Sequence, residues 1–202
     1  MTRTSALLIL LLAGCGSSRA EPRLRDGDII FQTSRSSQSL LIQRATRSPY
    51  SHMGMVVYRD GQPFVFEASA TVRLTPLQEW IDRGEGGRYV VKRLRESAGR
   101  LTPETIEKAR ALIRKFQGKS YDLTFEWSDK RMYCSELVWK IYERVLGVRI
   151  GELQKLRQFD LTDSAVRAKL RERYGTAVPL DEPVISPAAM FDSPVLELVA
   201  ER

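Results

Sequence analysis

The sequence predicts a single α+β domain in which helices pack on a small, mainly antiparallel sheet. Three observations support this prediction. The chain has 202 residues, 43% of them hydrophobic and 28% charged, which is typical of one globular domain. An Asp60-Gly61 pair between two apolar segments predicts a β-hairpin. Two segments, Thr102 to Gly118 and Cys134 to Leu146, have apolar residues at helical spacing.

The first half of the chain is expected to supply most of the strands. Short apolar segments predict strands over residues 27–31, 52–58, 63–68 and 88–94, with a short helix over 36–44. Thr75 and Pro76 are residue types of a helix N-cap and first helical position. They predict one or two helical turns around Trp80 that end by Arg83.

The second half is expected to be mostly helical. Thr102 is a predicted N-cap before Pro103, and that helix should end at Gly118. The next helix is predicted over Cys134 to Leu146, followed by Gly147. A highly charged helix over residues 162–174 and a strand over 195–199 complete the prediction.

The N-terminus predicts export and lipidation. Arg3, an apolar run and small residues before Cys15 are typical of a signal peptide over residues 1–14. The run from Leu11 to Cys15 resembles the bacterial lipobox, which implies that Cys15 is lipidated. Residues 15–23 then form a lipidated tether, and residues 24–202 form the folded domain. With Gly16 after the cysteine, we expect a lipoprotein that faces the periplasm, anchored in the outer membrane where the host has one.

Composition excludes several classes of protein. Two cysteines and one histidine exclude a disulfide framework and a Cys/His zinc cluster, so we expect no metal and no organic cofactor. The net charge is +7 and the isoelectric point about 9.6. Basic residues alternate with acidic ones, as around Glu104 and Lys108, and no recognition motif for nucleic acid is present. The positive charge is therefore expected to meet anionic lipid or wall polymer, or to be ordinary solvated surface charge.

A Cys-His-acid set is the strongest chemical signal in the sequence. Cys134 is predicted to begin a helix, where free N–H groups and the helix dipole favour a thiolate. His52, the only histidine, begins a strand, and imidazole titrates near neutral pH. Taken singly, the three residues have simpler interpretations: a buried apolar Cys134, a solvated His52 and an exposed Glu67. Taken together, they indicate a nucleophile with its base and orienting group.

The hairpin register is expected to bring His52 and Glu67 together. With a two-residue turn at Asp60-Gly61, residue 54 lies opposite residue 67. Side chains alternate along a strand, so His52 and Glu67 become diagonal neighbours on one face. A slip of one residue would place them on opposite faces. The other face of the hairpin is predicted to be core, with Met53, Met55, Val57, Phe64, Phe66 and Ala68.

Five segments carry a resemblance to a known family. They are Gly27-Asp28-Ile29-Ile30-Phe31, residues 48–56 around His52, Phe66-Glu67-Ala68, Gly118-Lys119-Ser120-Tyr121-Asp122, and Tyr133-Cys134-Ser135-Glu136-Leu137-Val138. In this order they resemble the YaeF/YiiX-like hydrolases. These are circularly permuted relatives of the NlpC-type cell-wall peptidases and cousins of the lecithin:retinol acyltransferase group.

The resemblance implies a circularly permuted papain-like fold and a role for each matching residue. Cys134 would be the nucleophile, His52 the base and Glu67 the orienting group. Tyr121 matches a tyrosine near the nucleophile, although Ser120 stands where the relatives usually have Pro. Tyr121 and, with it, Ser51 are candidates for oxyanion or substrate binding, beside the Cys134 backbone N–H.

The resulting prediction is an exported, membrane-tethered cysteine hydrolase that cleaves an amide or ester by acyl transfer. Cell-envelope peptide is the expected substrate, and an acyl lipid or thioester is the alternative that the acyltransferase cousins imply. A long apolar groove would favour lipid, and a polar groove would favour peptide. A non-catalytic, ligand-binding envelope lipoprotein is a third hypothesis, which a damaged catalytic set would favour.

Overall fold

A sheet of six antiparallel strands forms the centre of the fold. The computed structural model describes residues 24–95 and 97–202. The strands are β1 (Ile29–Gln32), β2 (His52–Arg59), β3 (Gln62–Ala68), β4 (Val72–Pro76), β5 (Val90–Leu94), β6 (Gln154–Lys155), β7 (Pro183–Val184) and β8 (Leu196–Glu201). The main sheet has the order β4-β3-β2-β1-β5-β8, and β6 pairs only with β7. All of these strand pairs are antiparallel.

The predicted signal peptide (1–14), the lipidation site Cys15 and the tether (15–23) lie outside the described residues. Across residues 24–95 and 97–202, no helix combines the length and the apolar character needed to cross a membrane.

The β2-β3 hairpin has the predicted turn and register. Asp60 and Gly61 both adopt positive φ, 50° and 76°, as a tight two-residue hairpin turn requires. Arg59 pairs with Gln62, and the same register continues to Met55 opposite Phe66. This confirms the alternation that places His52 and Glu67 on the same face.

Seven α-helices among the described residues surround the sheet. They are α1 (Ser39–Thr46), α2 (Leu77–Asp82), α3 (Ser97–Arg100), α4 (Pro103–Phe116), α5 (Cys134–Leu146), α6 (Ser164–Tyr174) and α7 (Pro187–Phe191). The α5 helix begins at Cys134 and ends before Gly147, which takes the left-handed conformation. Thr102 caps α4 by accepting a hydrogen bond from the Thr105 backbone N–H. The predictions for α4 and α5 are therefore confirmed.

Both faces of the sheet are covered. On one face, α5 packs against β2 and β3, and Leu137 and Val138 join the buried cluster around Met53 and Phe66. On the other face, Trp80 and Ile81 of α2 bury Val56 and Val65. The sheet face that carries Glu67 is thus part of a second buried core, which explains why Val56 and Val65 lie on the same face as this carboxylate.

One local prediction was wrong, and one short helix was not predicted. Thr75 and Pro76 do not begin a helix, because both belong to β4, and α2 begins at Leu77 without a side-chain cap. The Thr75 hydroxyl instead bonds to Glu67. The sequence analysis also missed α7, a five-residue helix whose N-cap Ser186 accepts a hydrogen bond from Ala189. Both misses concern short elements, for which tertiary pairing outweighs local residue preference.

Candidate active site

Cys134 lies at the first position of α5, nearly buried, with 2% of its surface exposed. Side chains of neighbouring residues fasten this end of the helix to the chain near β7. The Ser135 hydroxyl donates to the Ile185 carbonyl at 2.8 Å, and the Tyr133 hydroxyl accepts from the Ile185 N–H at 3.2 Å. The position of the thiol is therefore set by a buried helix end rather than by a loop.

His52 lies at the first position of β2 and contacts the thiol of Cys134 and the carboxylate of Glu67. Its Nε2 atom is 2.6 Å from Oε2 of Glu67. With Nε2 so engaged, Nδ1 is the ring nitrogen left to interact with Cys134, and that interaction contributes to the raised pKa of His52. The indole of Trp80 stacks on the imidazole, with ring centroids 5.8 Å apart and planes inclined by 25°. The structure thus brings Cys134, His52 and Glu67 into one connected chain.

Glu67 is completely buried, and its second oxygen is also bonded. The hydroxyl of Thr75 donates to Oε1 at 2.5 Å, and the Arg83 guanidinium forms an ion pair with the same atom. Arg73 lies further away, with its Nε atom 3.6 Å from Oε1. A carboxylate held from both sides in this way cannot rotate freely, so it fixes the orientation of the imidazole.

The two partners shift each other's pKa in opposite directions. Burial alone lowers the pKa of His52, but its hydrogen bonds to Cys134 and Glu67 outweigh that effect and raise the pKa from 6.5 to about 9. Burial raises the pKa of Glu67, but the bonds to His52 and Thr75 and the charge of Arg83 lower it to about 2. The site therefore holds an imidazolium beside the sulfur of Cys134 at neutral pH.

Tyr121 and Ser51, the other residues singled out from the sequence, occupy different environments. The Tyr121 hydroxyl lies against the thiol of Cys134; burial, and then the nearby sulfur, raise the pKa of this phenol well above 10. Ser51 is buried beside His52, and its hydroxyl bonds to Ser39 at 2.6 Å and accepts from the Ser34 N–H at 3.0 Å. Tyr121 thus faces the thiol, whereas the Ser51 hydroxyl is engaged within the protein.

Sequence reasoning missed Thr75, Arg83, Trp80 and Gln32 as neighbours of the site. Trp80 was noted only as the centre of a short helix. Thr75 pairs with Val65 across β3 and β4, so it is a diagonal neighbour of Glu67. Recognising β4 as a strand would have indicated this contact. No local pattern indicates Arg83, which follows α2 and reaches Glu67 from outside the hairpin.

Two clefts meet at the catalytic set. The first, here called the apolar cleft, opens on Cys134 between α1, α6 and the chain around residue 185. It encloses about 750 Å³ including its open mouth. Most of its wall is aliphatic or aromatic and includes Leu41, Ile42, Phe125, Phe159, Leu161 and Leu170. Lys169 and Arg173 also line it.

The second, here called the polar cleft, opens on His52 and encloses about 960 Å³ including its mouth. Its wall includes Gln32, Ser34, Arg35, Ser36, Ser51 and Arg83. Tyr121 lines both clefts. Cys134 thus lines the apolar cleft, and His52 lines the polar cleft.

A solved structure resembles this fold closely. The crystal structure of metalloprotein YiiX from Escherichia coli O157:H7 superposes with a TM-score of 0.83 and is 52% identical in sequence. The match covers 91% of this chain and 99% of the YiiX chain. In residues 24–95 and 97–202 of the present chain, no three His, Cys, Asp or Glu side chains are arranged to hold a metal ion.

Sequence comparison gives the same relationship. The uncharacterized protein YiiX of Escherichia coli strain K12 is 50% identical over 196 residues, which span 97% of this chain and 95% of YiiX. The family model of permuted papain-like amidase enzymes, YaeF/YiiX, matches residues 23–200. The chain therefore belongs to the C92 family of permuted papain-like amidases.

Proposed function

We propose that this protein is a cysteine hydrolase that cleaves an amide or ester through an acyl-enzyme on Cys134. The observation that carries the proposal is the connected chain from the Cys134 thiol through His52 to Glu67. Nucleophile, base and orienting carboxylate are the three components that cysteine-dependent acyl transfer requires. All three are present and in contact, which argues against the non-catalytic lipoprotein hypothesis.

Acylation starts from the ion pair in which the thiol proton of Cys134 already resides on Nδ1 of His52. The raised pKa of His52, about 9, favours this imidazolium at neutral pH. The thiolate of Cys134 attacks the substrate carbonyl, and a C–S bond forms while the carbonyl electrons move to oxygen. The backbone N–H of Cys134, free at the helix start, and the Tyr121 hydroxyl are the proposed donors to that oxyanion. The high pKa of Tyr121 keeps its hydroxyl protonated for this purpose.

Collapse of the tetrahedral intermediate breaks the bond to the leaving group. His52 donates its proton to the departing nitrogen or oxygen, and the acyl group stays on Cys134 as a thioester. Water then attacks the thioester while His52 takes its proton, and the thiolate leaves with the imidazolium restored. Glu67 keeps the imidazole in the orientation that both steps need.

The apolar cleft favours a fatty acyl substrate over the cell-wall peptide that the sequence led us to expect. Leu41 and Ile42 of α1 face Val166 and Leu170 of α6 across a cleft that reaches Cys134. A wall of this kind gains about 25 cal/mol for each Å² of apolar surface that it buries, so affinity should grow with chain length. A cell-wall peptide, which is rich in charged groups, would leave that wall unmatched.

The proposed location agrees with such a substrate. We propose that the protein is exported, carries a lipid on Cys15 and faces the periplasm from a membrane. A lipid anchor at residue 15 would let the cleft reach amphiphiles in the same bilayer.

A chain-length series tests the proposed function. We expect kcat/KM for 4-nitrophenyl esters to rise from acetyl to dodecanoyl, and mass spectrometry to detect the acyl group on Cys134. Cys134→Ala should abolish both signals. Ala45→Phe, which adds bulk to the wall of the apolar cleft, should move the optimum to shorter chains.

Two results would contradict the proposal. Turnover by the Cys134→Ala variant would show that Cys134 is not the nucleophile. Cleavage of muropeptides, together with no preference for longer acyl chains in the ester series, would leave the proposed mechanism intact. It would show that the substrate is a cell-envelope peptide rather than a fatty acyl compound.

A further inference from the structure

The polar cleft carries features that the acyl-transfer chemistry does not explain. It contains two arginines, Arg35 and Arg83, next to His52, and none of the described residues that line it is Asp or Glu. A cleft with this composition would repel cations and attract anions.

Gln32 is the second, independent observation. Its side chain is 1% exposed, and neither its Nε2 nor its Oε1 has a hydrogen-bond partner among the residues that the structure describes. Buried amides are almost always bonded, so an unpartnered one in the wall of a cleft indicates a ligand contact. Gln32 pairs with His52 across β1 and β2, which puts the amide on the same face as the imidazole.

Gly84 makes room for this amide. A Cβ atom at Gly84 would lie 2.2 Å from Oε1 of Gln32, so any side chain there would displace the amide. The backbone of Gly84 has an ordinary negative φ of −77°, so its conformation does not demand glycine. The glycine therefore serves to leave room for the amide of Gln32.

Nearby charges leave the polar cleft positive. Arg35 donates to the backbone carbonyls of Asp82 and Arg83 and forms no ion pair with a described residue. Arg83 shares Glu67 with His52. Arg73, outside the cleft, forms ion pairs with Glu67 and Glu79 at 3.6 and 3.8 Å. The Asp82 carboxylate accepts a hydrogen bond from the Gln78 amide. One buried carboxylate, Glu67, thus faces three cationic groups, His52, Arg83 and Arg73, and Arg35 adds a fourth positive charge.

We propose that the polar cleft binds the leaving group of the substrate and that this group carries a carboxylate or a phosphate. The inference rests on the proposed function. When the intermediate collapses, the departing atom takes the electron pair of the broken bond and the proton of His52. It must therefore lie on the His52 side, while the acyl chain occupies the apolar cleft. The Gln32 amide donates to the anionic group, and Arg35 and Arg83 supply the positive charge.

Matched esters test this inference. Decanoyl esters of 4-hydroxyphenylacetate and of its methyl ester have the same acyl chain and nearly the same phenol, but only the first leaving group is charged. We expect kcat/KM to favour the charged ester by at least about tenfold. Inhibition by phenylacetate compared with benzylphosphonate then distinguishes a carboxylate from a phosphate.

Three variants separate recognition from folding. Gln32→Glu should reverse the preference, because a carboxylate of the same size would face the anion. Arg35→Gln, at an exposed side chain, should bring the ratio close to one even if Gln32→Glu fails to fold. Arg59→Gln removes an exposed arginine at the far end of β2 and should leave the ratio as in the wild type.

The outcomes distinguish the two proposals. Cys134-dependent turnover with equal rates for both esters, or a ratio that Arg35→Gln and Arg59→Gln change equally, would overturn the anionic leaving group and leave the hydrolase intact. No acyl group on Cys134 with either ester would instead overturn the proposed function.

Discussion

The ammonium of Lys140 lies 2.7 Å from Oε1 of Glu136, inside the helix whose first residue is Cys134. Both side chains are buried. Lys140 also donates to the Ser128 carbonyl at 2.7 Å and to the Asp129 carboxylate at 3.0 Å. The Lys140 contacts therefore tie the N-terminal half of α5, which carries Cys134, to the segment that follows Tyr121.

Removal of Lys140 should be strongly destabilising. Lys140→Met leaves the Glu136 carboxylate buried without its partner, and we expect a loss of about 3–5 kcal/mol in the free energy of unfolding. Urea denaturation at pH 8 measures it. Burial raises the pKa of Glu136 to about 7 against the opposing effect of Lys140. Without Lys140 the pKa of Glu136 rises further, so the loss should shrink as the pH falls towards 7 and the buried carboxyl of the variant becomes neutral.

The double variant Glu136→Gln/Lys140→Met is the control. It removes both charges, so most of the loss should be recovered. A double variant as unstable as Lys140→Met would show that packing, rather than charge, explains the loss.

The imidazole of His52 should titrate far above its ordinary range. Because the chain has a single histidine, one NMR resonance reports it without assignment. We expect a pKa of about 9 in the wild type and lower values in Cys134→Ala and in Glu67→Gln, each of which removes one stabilising partner. A wild-type value at or below 6.5 would contradict the imidazolium at the site.

The same shifts determine how stability depends on pH. The pKa of His52 is raised on folding, so its contribution is complete below about pH 6.5 and is lost as the pH rises through 9. The pKa of Glu67 is lowered, so its contribution is complete above about pH 4.5 and is lost as the pH falls through 2. The difference in the free energy of unfolding between the wild type and Glu67→Gln should therefore be largest between about pH 4.5 and 6.5.

The hydroxyl of Thr75 should matter for activity through Glu67. Thr75→Val keeps the shape of the side chain and removes the 2.5 Å bond to Oε1. We expect kcat to fall about tenfold, the pKa of His52 to change, and the free energy of unfolding to fall by about 1–2 kcal/mol. Thr105→Val, in α4 and away from the site, is the matched control. An unchanged histidine titration in Thr75→Val would assign Thr75 a structural role only.

The hydroxyl of Tyr121 should contribute to the transition state. Tyr121→Phe removes only the proposed oxyanion donor and should lower kcat by roughly 10²–10³-fold with little change in KM. Acylation of Cys134, followed by mass spectrometry over time, should slow in parallel. An equal rise in KM with constant kcat would place the hydroxyl in ground-state binding instead.

The predicted lipid on Cys15 can be tested separately from catalysis. The mature protein should begin at Cys15 with a diacylglyceryl group and partition with membranes, because two acyl chains anchor a protein stably. Cys15→Ser should abolish the modification and leave the released domain able to form the acyl-enzyme. An unmodified N-terminal peptide from the native host would disprove lipidation and leave the hydrolase proposal unaffected.

Much of the fold follows from local patterns. Residues 52–68 contain an Asp-Gly turn between alternating apolar residues, and that is enough to determine the hairpin register. The α5 helix was predicted with its observed bounds because an apolar stripe ends at a glycine. The same reasoning failed for β4, whose Thr75-Pro76 pair has helix-start residue types although pairing with β3 makes it a strand.

By itself, the sequence determined the two main helices and the hairpin register, since each depends on residues close together in the chain. It also singled out the candidate set Cys134, His52 and Glu67 by residue type, because the chain has one histidine and two cysteines. Only the tertiary structure decided what surrounds that set. Arg83 reaches Glu67, and the Gln32 amide beside His52 has no hydrogen-bond partner among the described residues. The apolar cleft forms where α1 and α6 meet, more than a hundred residues apart in the chain. Such contacts are decided by how distant segments pack, and no local periodicity encodes them. The proposed substrate preference therefore depends on packing, whereas the proposed catalytic chemistry follows from the residue types in the chain.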